Sequence, residues 1–234
     1  MKNLVVLGLF IMMLILAQVT KAQTVDDIAK LNVEAMGGAD KLMALKSVKL
    51  EGTMNAQGYD VTLVTTKSHL KGLRVDIEVM GTSNYQVANP TEGWVFMPVM
   101  GMSSPVKMEQ DQLNAAINQM DLQGTFLNYK EKGTTIELAG KENVAGSEAY
   151  KLNVTYKNGQ KTTIFIDTKT NRVVKTVSKI TANGQEMEVE SSLTDYKQNA
   201  DGYWFPYTTT SQQGTTTYDK ITTNVPVEDS LFKN

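Results

Sequence analysis

Cysteine is absent from the 234 residues, and histidine occurs once, at His69. The first absence removes disulfides, thiolate nucleophiles and zinc–thiolate sites, and with them lipid attachment at a leader cysteine. The second leaves no histidine pair for a metal. His69 also lacks a serine-elbow motif or an acidic pattern beside it, so nucleophilic catalysis is not expected. It reads as a surface histidine near Lys67 and Lys71. Basic runs are missing too: 23 Lys and Arg stand against 25 Asp and Glu, a formal charge of −2 at pH 7. Nucleic-acid partners need clustered cations and are not expected. No Gly-rich phosphate loop follows a strand, and no cofactor motif or His/Asp/Glu cluster with metal-ligand spacing is present. Glu186, Glu188 and Glu190 alternate with apolar residues, which makes a solvated strand face and not a glycosidase carboxylate pair.

Long apolar runs are confined to the start of the chain. Lys2, the run Leu4–Leu16 and the small residues of Thr20-Lys21-Ala22 have the layout of a secretory leader cleaved after Ala22. The apolar run of about 13 residues falls short of the ~20 that a membrane span needs. The expectation is an exported, periplasmic chain that does not cross a membrane once the leader is removed. Residues 23–234 then fit one all-β domain, acting as a single copy.

What is present is alternation. After a predicted helix with Thr24 as N-cap, Asp26 and Asp27 in its first turn and Gly37-Gly38 as its stop, a short helix over 39–45 turns Leu42 and Leu45 inward. The period then changes from 3.6 to 2. Val48, Leu50, Gly52 and Met54 alternate with polar residues, as do Leu73, Val75, Ile77 and Val79, then Tyr150–Tyr156 and Met187–Leu193. Each run has one greasy and one wet face, the mark of an antiparallel sheet covered on one side. Asn158-Gly159 and Asn183-Gly184 suit tight hairpins, with further connections at Gln57-Gly58, Thr168–Asn171 and Asp201-Gly202. The pattern predicts about eleven neighbouring strands.

One interruption stands out. Phe96 to Pro105 cannot be a central strand, because Pro98 and Pro105 have no N–H for the ladder. Glu109 to Asp121 is an amphipathic helix with Leu113, Ile117 and Met120 on one face. The expectation is a mobile apolar loop and a helix acting as a lid over an open sheet. Met97, Met100, Met102 and Met108 lie in or beside that loop. They suit an adaptable apolar surface, ordinary packing, or a thioether site for Cu(I), although no His or Cys supports the last. Asn153-Val154-Thr155 matches a glycosylation sequon within a strand pattern, and Trp94 and Trp204 read as packing residues with a wet edge.

Several phrases in order carry a family likeness: Ala35-Met36-Gly37-Gly38 with Lys41-Leu42 and Leu45-Lys46-Ser47, then Gly72-Leu73-Arg74-Val75, Glu92-Gly93-Trp94-Val95-Phe96, Phe165-Ile166-Asp167, Asn183-Gly184-Gln185, Asp195-Tyr196, Gly202-Tyr203-Trp204-Phe205-Pro206, and Asn224-Val225-Pro226-Val227 with Ser230-Leu231-Phe232. In these the chain resembles the LolA/LolB superfamily of periplasmic lipoprotein carriers, and most of all its LolA-like outer-membrane lipoprotein-sorting proteins. The resemblance implies an incomplete antiparallel β-barrel whose open side is covered by the N-terminal and inserted helices. It implies an apolar cavity for the acyl chains of a lipoprotein or other lipid, with inner- and outer-membrane proteins as partners. The residues that would line cavity and lid are Leu50, Met54, Leu63, Val75, Ile77, Trp94, Phe96, Met97, Met100, Met102, Leu113, Ile117 and Met120. Arg74 occupies the place of the family's strand arginine and would make a polar contact between sheet and lid. A different reading keeps the core filled and makes the Met-rich loop the docking element of a cell-envelope scaffold.

Overall fold

The computed structural model describes residues 23–56, 58–182 and 185–234. The predicted leader, Gln57 and the Asn183-Gly184 turn lie outside the described residues.

The chain enters through α1 (Val25–Ala35). Thr24 accepts from the Asp27 backbone N–H at 3.2 Å, and the Asp27 carboxylate accepts from the Thr24 N–H at 3.1 Å. This capping box satisfies two donors that the first turn leaves free. At the other end Gly37 and Gly38 sit at φ +116° and +92°, a region open to glycine and strained for other residues, and the helix stops there. The short α2 (Ala39–Ala44) follows, with Leu42 and Leu45 buried as its spacing predicts.

Thirteen strands then form one sheet among the described residues: β1 (Ser47–Ala56), β2 (Tyr59–Ser68), β3 (Gly72–Val79), β4 (Thr82–Ala88), β5 (Gly93–Phe96), β6 (Val106–Lys107), β7 (Thr135–Val144), β8 (Ser147–Thr155), β9 (Lys161–Asp167), β10 (Val173–Ala182), β11 (Gln185–Gln198), β12 (Trp204–Ser211) and β13 (Gly214–Thr223). Their order is β6-β5-β4-β3-β2-β1-β13-β12-β11-β10-β9-β8-β7, every described pairing is antiparallel, and β6 and β7 are left as unjoined edges. The sheet is an open half-barrel. The count exceeds the expected eleven partly because the Met-rich insertion returns to the sheet: Val106 pairs with Val95 and Lys107 with Trp94. The insertion's helix, α3 (Gln110–Gln119), spans most of the predicted segment, with Glu109 as its N-cap.

Register assigns the faces, because opposed residues share a side and neighbours along a strand do not. Val48, Leu50 and Met54 of β1 share a face with Lys67, Leu63 and Val61 of β2 and with Leu73, Val75 and Ile77 of β3. This is the concave, covered side. At one end Ile28 and Ala29 of α1, with Phe126, pack onto Ile136, Tyr150, Leu152, Val154, Ile164 and Ile166. In the middle Leu45 packs with Val48, Tyr203 and Ile221, joined by Leu50, Leu122, Phe205, Tyr207 and Tyr218. At the other end Leu113, Ala116 and Met120 pack onto Leu73 and Ala88. A fully buried aliphatic side chain such as Ile28 or Met120 contributes about 1.5–3 kcal/mol.

The convex side is wet over most of the sheet but not over β3 and β4. There the C-terminal 3-10 turn, Asp229–Phe232, folds back against β3. Asn89 Nδ2 donates to the Phe232 carbonyl at 3.3 Å, and the Tyr85 hydroxyl donates to Asn234 Oδ1 at 2.6 Å. Phe232 lies where a side chain at Gly72 would project, so only glycine fits beneath its ring.

Candidate functional site

The site is the concave apolar face and the helix that covers it. α3 touches β3 and β4 on one wall and β10 on the other, so it bridges the trough. Its two sides attach by different chemistry. Toward β3 and β4 the attachment is apolar: Leu113, Ala116 and Met120 against Leu73 and Ala88, flanked by Val75, Met108 and Ile117. Toward the β8–β9 hairpin it is a set of uncharged amides. Asn118 Nδ2 donates to Gln160 Oε1 at 2.5 Å, and Asn158 Nδ2 donates to Asn118 Oδ1 at 3.2 Å and to the Asn114 carbonyl at 3.3 Å. Such exposed or half-exposed bonds exchange with water at small net cost, whereas the apolar side loses buried area when it parts. Among the described residues, therefore, the β3–β4 side is the apolar attachment and the hairpin side the polar one.

The end of α3 is pinned to the β2–β3 turn. Leu70 donates its N–H to the Met120 carbonyl at 3.0 Å, and Leu122 donates its N–H to Nδ1 of His69 at 3.2 Å. His69 therefore has a structural role and is not the surface residue expected from sequence. Burial pushes its pKa below the ordinary value, against the opposing pull of Asp121 at 3.8 Å. Asp121 is also paired with Lys132 at 2.6 Å.

Of the residues picked out from sequence, the structure brings one group together. Leu50, Met54, Leu63, Val75 and Ile77 lie on the concave face, and Leu113, Ile117 and Met120 descend onto it from α3. Within that group Leu50 belongs to the middle cluster with Val48 and Ile221. Leu113 and Met120 are buried against Leu73 and Ala88.

A second group lies on the opposite face. Trp94 is opposed to Val87, which is opposed to Arg74, while Phe96 is opposed to Tyr85. Arg74 donates to Asp76 at 2.8 Å and stacks on Tyr85 at 4.8 Å, with Tyr85 and Phe96 rings 5.6 Å apart. Arg74 thus points away from α3, and Trp94 and Phe96 do not share a cavity with Val75. Trp94 instead borders a surface cavity of about 710 Å³ between Leu70, Pro90 and the C-terminal residues Phe232 to Asn234. Another cavity, of about 310 Å³, opens between α1 and residues 126–131.

The Met-rich loop forms a defined turn. Pro98–Met100 is a 3-10 turn, Val99 donates its N–H to the buried Asn84 at 3.1 Å, and Met97 donates its N–H to Met102 Sδ at 3.4 Å. Met97 and Met102 are half-buried, Met108 packs beside Gly93, and Met100 is 77 % exposed at the tip. The four thioethers therefore do not gather in one environment. Trp204 packs beneath Arg172, whose guanidinium sits 3.7 Å from its ring.

No family model matches the chain, and no curated protein does. Solved structures do. A LolA superfamily protein of Nitrosomonas europaea aligns over 91 % of this chain and 99 % of its own, at 14 % identity and TM-score 0.55. A DUF1329 family protein of Desulfovibrio piger aligns over 91 % and 98 %, at 15 % identity and TM-score 0.55. An outer membrane lipoprotein-sorting protein domain of Vibrio parahaemolyticus aligns over 88 % and 95 %, at 13 % identity and TM-score 0.53. An unclosed antiparallel sheet that aligns over nearly the whole of these solved structures identifies this as a LolA-like fold.

Proposed function

We propose that this chain is an exported, periplasmic carrier that shelters the acyl chains of a lipoprotein or other lipid on its concave face beneath α3. The observation that carries this reading is the asymmetric attachment of α3, apolar toward β3 and β4 and amide-linked toward the β8–β9 hairpin. A cover held this way swings off one wall without unfolding the sheet. The apolar residues it uncovers, among them Leu73, Val75, Ile117 and Met120, are of the kind that bind alkyl chains. Each buried methylene contributes roughly 0.8 kcal/mol, and the reburied helix face competes for the same surface, so uptake and release both stay accessible. Among the described residues no helix is long and apolar enough to cross a membrane. Membrane proteins that load and unload the carrier are part of the proposal.

Absence of native cysteine makes the test clean. Asn118→Cys and Gln160→Cys, joined by a short bismaleimide, should lock α3 to the hairpin and abolish uptake of a fluorescent fatty acid that the unlinked variant takes up. Equal uptake by the locked protein would refute the moving cover.

A second reading is favoured by one observation: Met100 and Val99 are exposed at the tip of a defined turn. Here the concave face stays filled and the turn docks a protein of the cell envelope. Replacing residues 97–108 with a Gly/Ser linker would then abolish capture of that partner while leaving lipid content unchanged.

A further inference from the structure

Lys67 is out of place in this fold. It lies on β2 opposite Val48 of β1 and Leu73 of β3, and therefore on the concave face, between two apolar side chains that are themselves buried. Val48 belongs to the middle cluster and Leu73 to the cluster under α3, so Lys67 rises at the seam between them. The segment leaving α3 crosses nearby, tied to the β2–β3 turn through Leu70 and His69. Every lysine paired on the outer surface, such as Lys49 with Glu51 or Lys179 with Glu186, has its carboxylate close by. Lys67 has no hydrogen bond, ion pair or ring contact among the described residues, and no neighbouring charge acts on it. Burial alone lowers its pKa from 10.5 to about 8. Lys67 is half-buried, and a lysine drawn even partly out of water without a partner is rare, because its ammonium loses hydration and gains nothing in return. Retaining one inside an apolar trough makes sense when the partner arrives with the cargo.

We propose that Lys67 is the anchor for the anionic group of an amphiphilic ligand, a carboxylate or phosphate attached to an acyl chain that lies along the concave face. This deepens the carrier reading and rests on it. From Lys67 the same face of β2 continues through Thr65 and Leu63 to Val61, about 20 Å of strand at 3.3 Å per residue, a run that suits one extended long chain. Ile77 of β3 lies opposite Leu63 and flanks the same path. The ammonium would donate charge-assisted hydrogen bonds to the anion in a site screened from water, where they are stronger and shorter than neutral ones. An uncharged lipid of the same length would leave the lysine unpaired and bind less well.

The test compares oleic acid with oleyl alcohol, which share a chain and differ in charge, on the intact protein, Lys67→Met and Lys67→Arg, by isothermal titration at pH 7. The wild type should bind oleate at least about tenfold more tightly than the alcohol. Lys67→Arg should keep that preference. Lys67→Met should lose it while binding the alcohol as well as before, and it should melt at a higher temperature than the wild type, which shows that it folds. Oleate preference that survives in Lys67→Met would overturn the anchor. Equal binding of acid and alcohol by the wild type would overturn it and leave the carrier reading intact, whereas no binding of either would overturn both. Inorganic phosphate alone is the last arm. Displacement of oleate by phosphate at equal concentration would assign the lysine to a free anion and refute a lipid headgroup.

Discussion

Nδ1 of His69 accepts the backbone N–H of Leu122 at 3.2 Å, which ties the exit of α3 to the turn between β2 and β3. A ring nitrogen that accepts must carry no proton, so this link exists only with neutral histidine. Burial lowers the His69 pKa below 6.5 in the folded protein. Above pH 6.5 both folded and unfolded chains hold it neutral and its stabilisation is complete. As pH falls from 6.5 through the lower folded value, the unfolded state takes up the proton first and stability is lost. Urea titrations should show stability falling across that window. His69→Ala should be less stable at neutral pH and lack this acid-dependent loss, and an unchanged slope would count against the link.

The two sides of α3 should respond differently to truncation. Met120→Ala removes a side chain that is 1 % exposed and should cost about 2–5 kcal/mol. Asn118→Ala removes only the amide bonds to Gln160 and Asn158 and should cost roughly 1 kcal/mol. Hydrogen exchange separates the sides further: Asn118→Ala should speed exchange of α3 amides while β8 and β9 stay protected. Acceleration spread evenly over the sheet would mean that α3 is not an independent cover.

Gly72 is a steric test of the convex side. A methyl group there collides with the Phe232 ring, and overpacking of this kind costs about 1–3 kcal/mol. Gly72→Ala should release the Asp229–Phe232 turn and speed its cleavage by an added endoprotease. Adding Phe232→Ala should recover part of the loss, and strictly additive losses in the double variant would contradict the contact.

Lys67→Met should raise stability. The folded pKa of about 8 lies below the unfolded 10.5, so the unfolded chain holds more protons between those values, and wild-type stability rises with pH across that window. Below it the penalty is at its full size, up to about 3 kcal/mol by the linkage relation. Chemical denaturation at neutral pH should find Lys67→Met more stable by a substantial part of that amount, and a destabilised variant would show that the lysine is paired in solution.

How legible these features were in the sequence depended on distance along the chain. Thr24 with Asp27, and Gly37-Gly38, are local signals and mark the ends of α1 as expected. Alternation assigned Leu73, Val75 and Ile77 to one face correctly, and the same parity places Arg74 opposite them, which the family likeness had obscured. Trp94 and Phe96, placed in the cavity by the family likeness, carry no parity signal of their own, because β5 is four residues long and apolar on both sides. It is apolar on both sides because the C-terminal turn covers the convex surface nearby, a contact some 140 residues away in sequence between Asn89 and Phe232. His69 meets Leu122 across 53 residues, and no local pattern announces it. Lys67 carries no local signal, because β2 is rich in threonine and its alternation is faint, and only its register with Val48 and Leu73 reveals the side it occupies.

The central claim is that an acyl chain lies on the concave face beneath α3. A long-chain fatty acid with a diazirine on its tail, photolysed in the binding equilibrium and located by peptide mass spectrometry, tests it directly. Adducts should fall on Leu63, Val75, Ile77 and Ile117 and disappear when Asn118→Cys is crosslinked to Gln160→Cys. Adducts confined to Trp94 and the C-terminal groove on the convex side, or no adduct at all, would contradict the account.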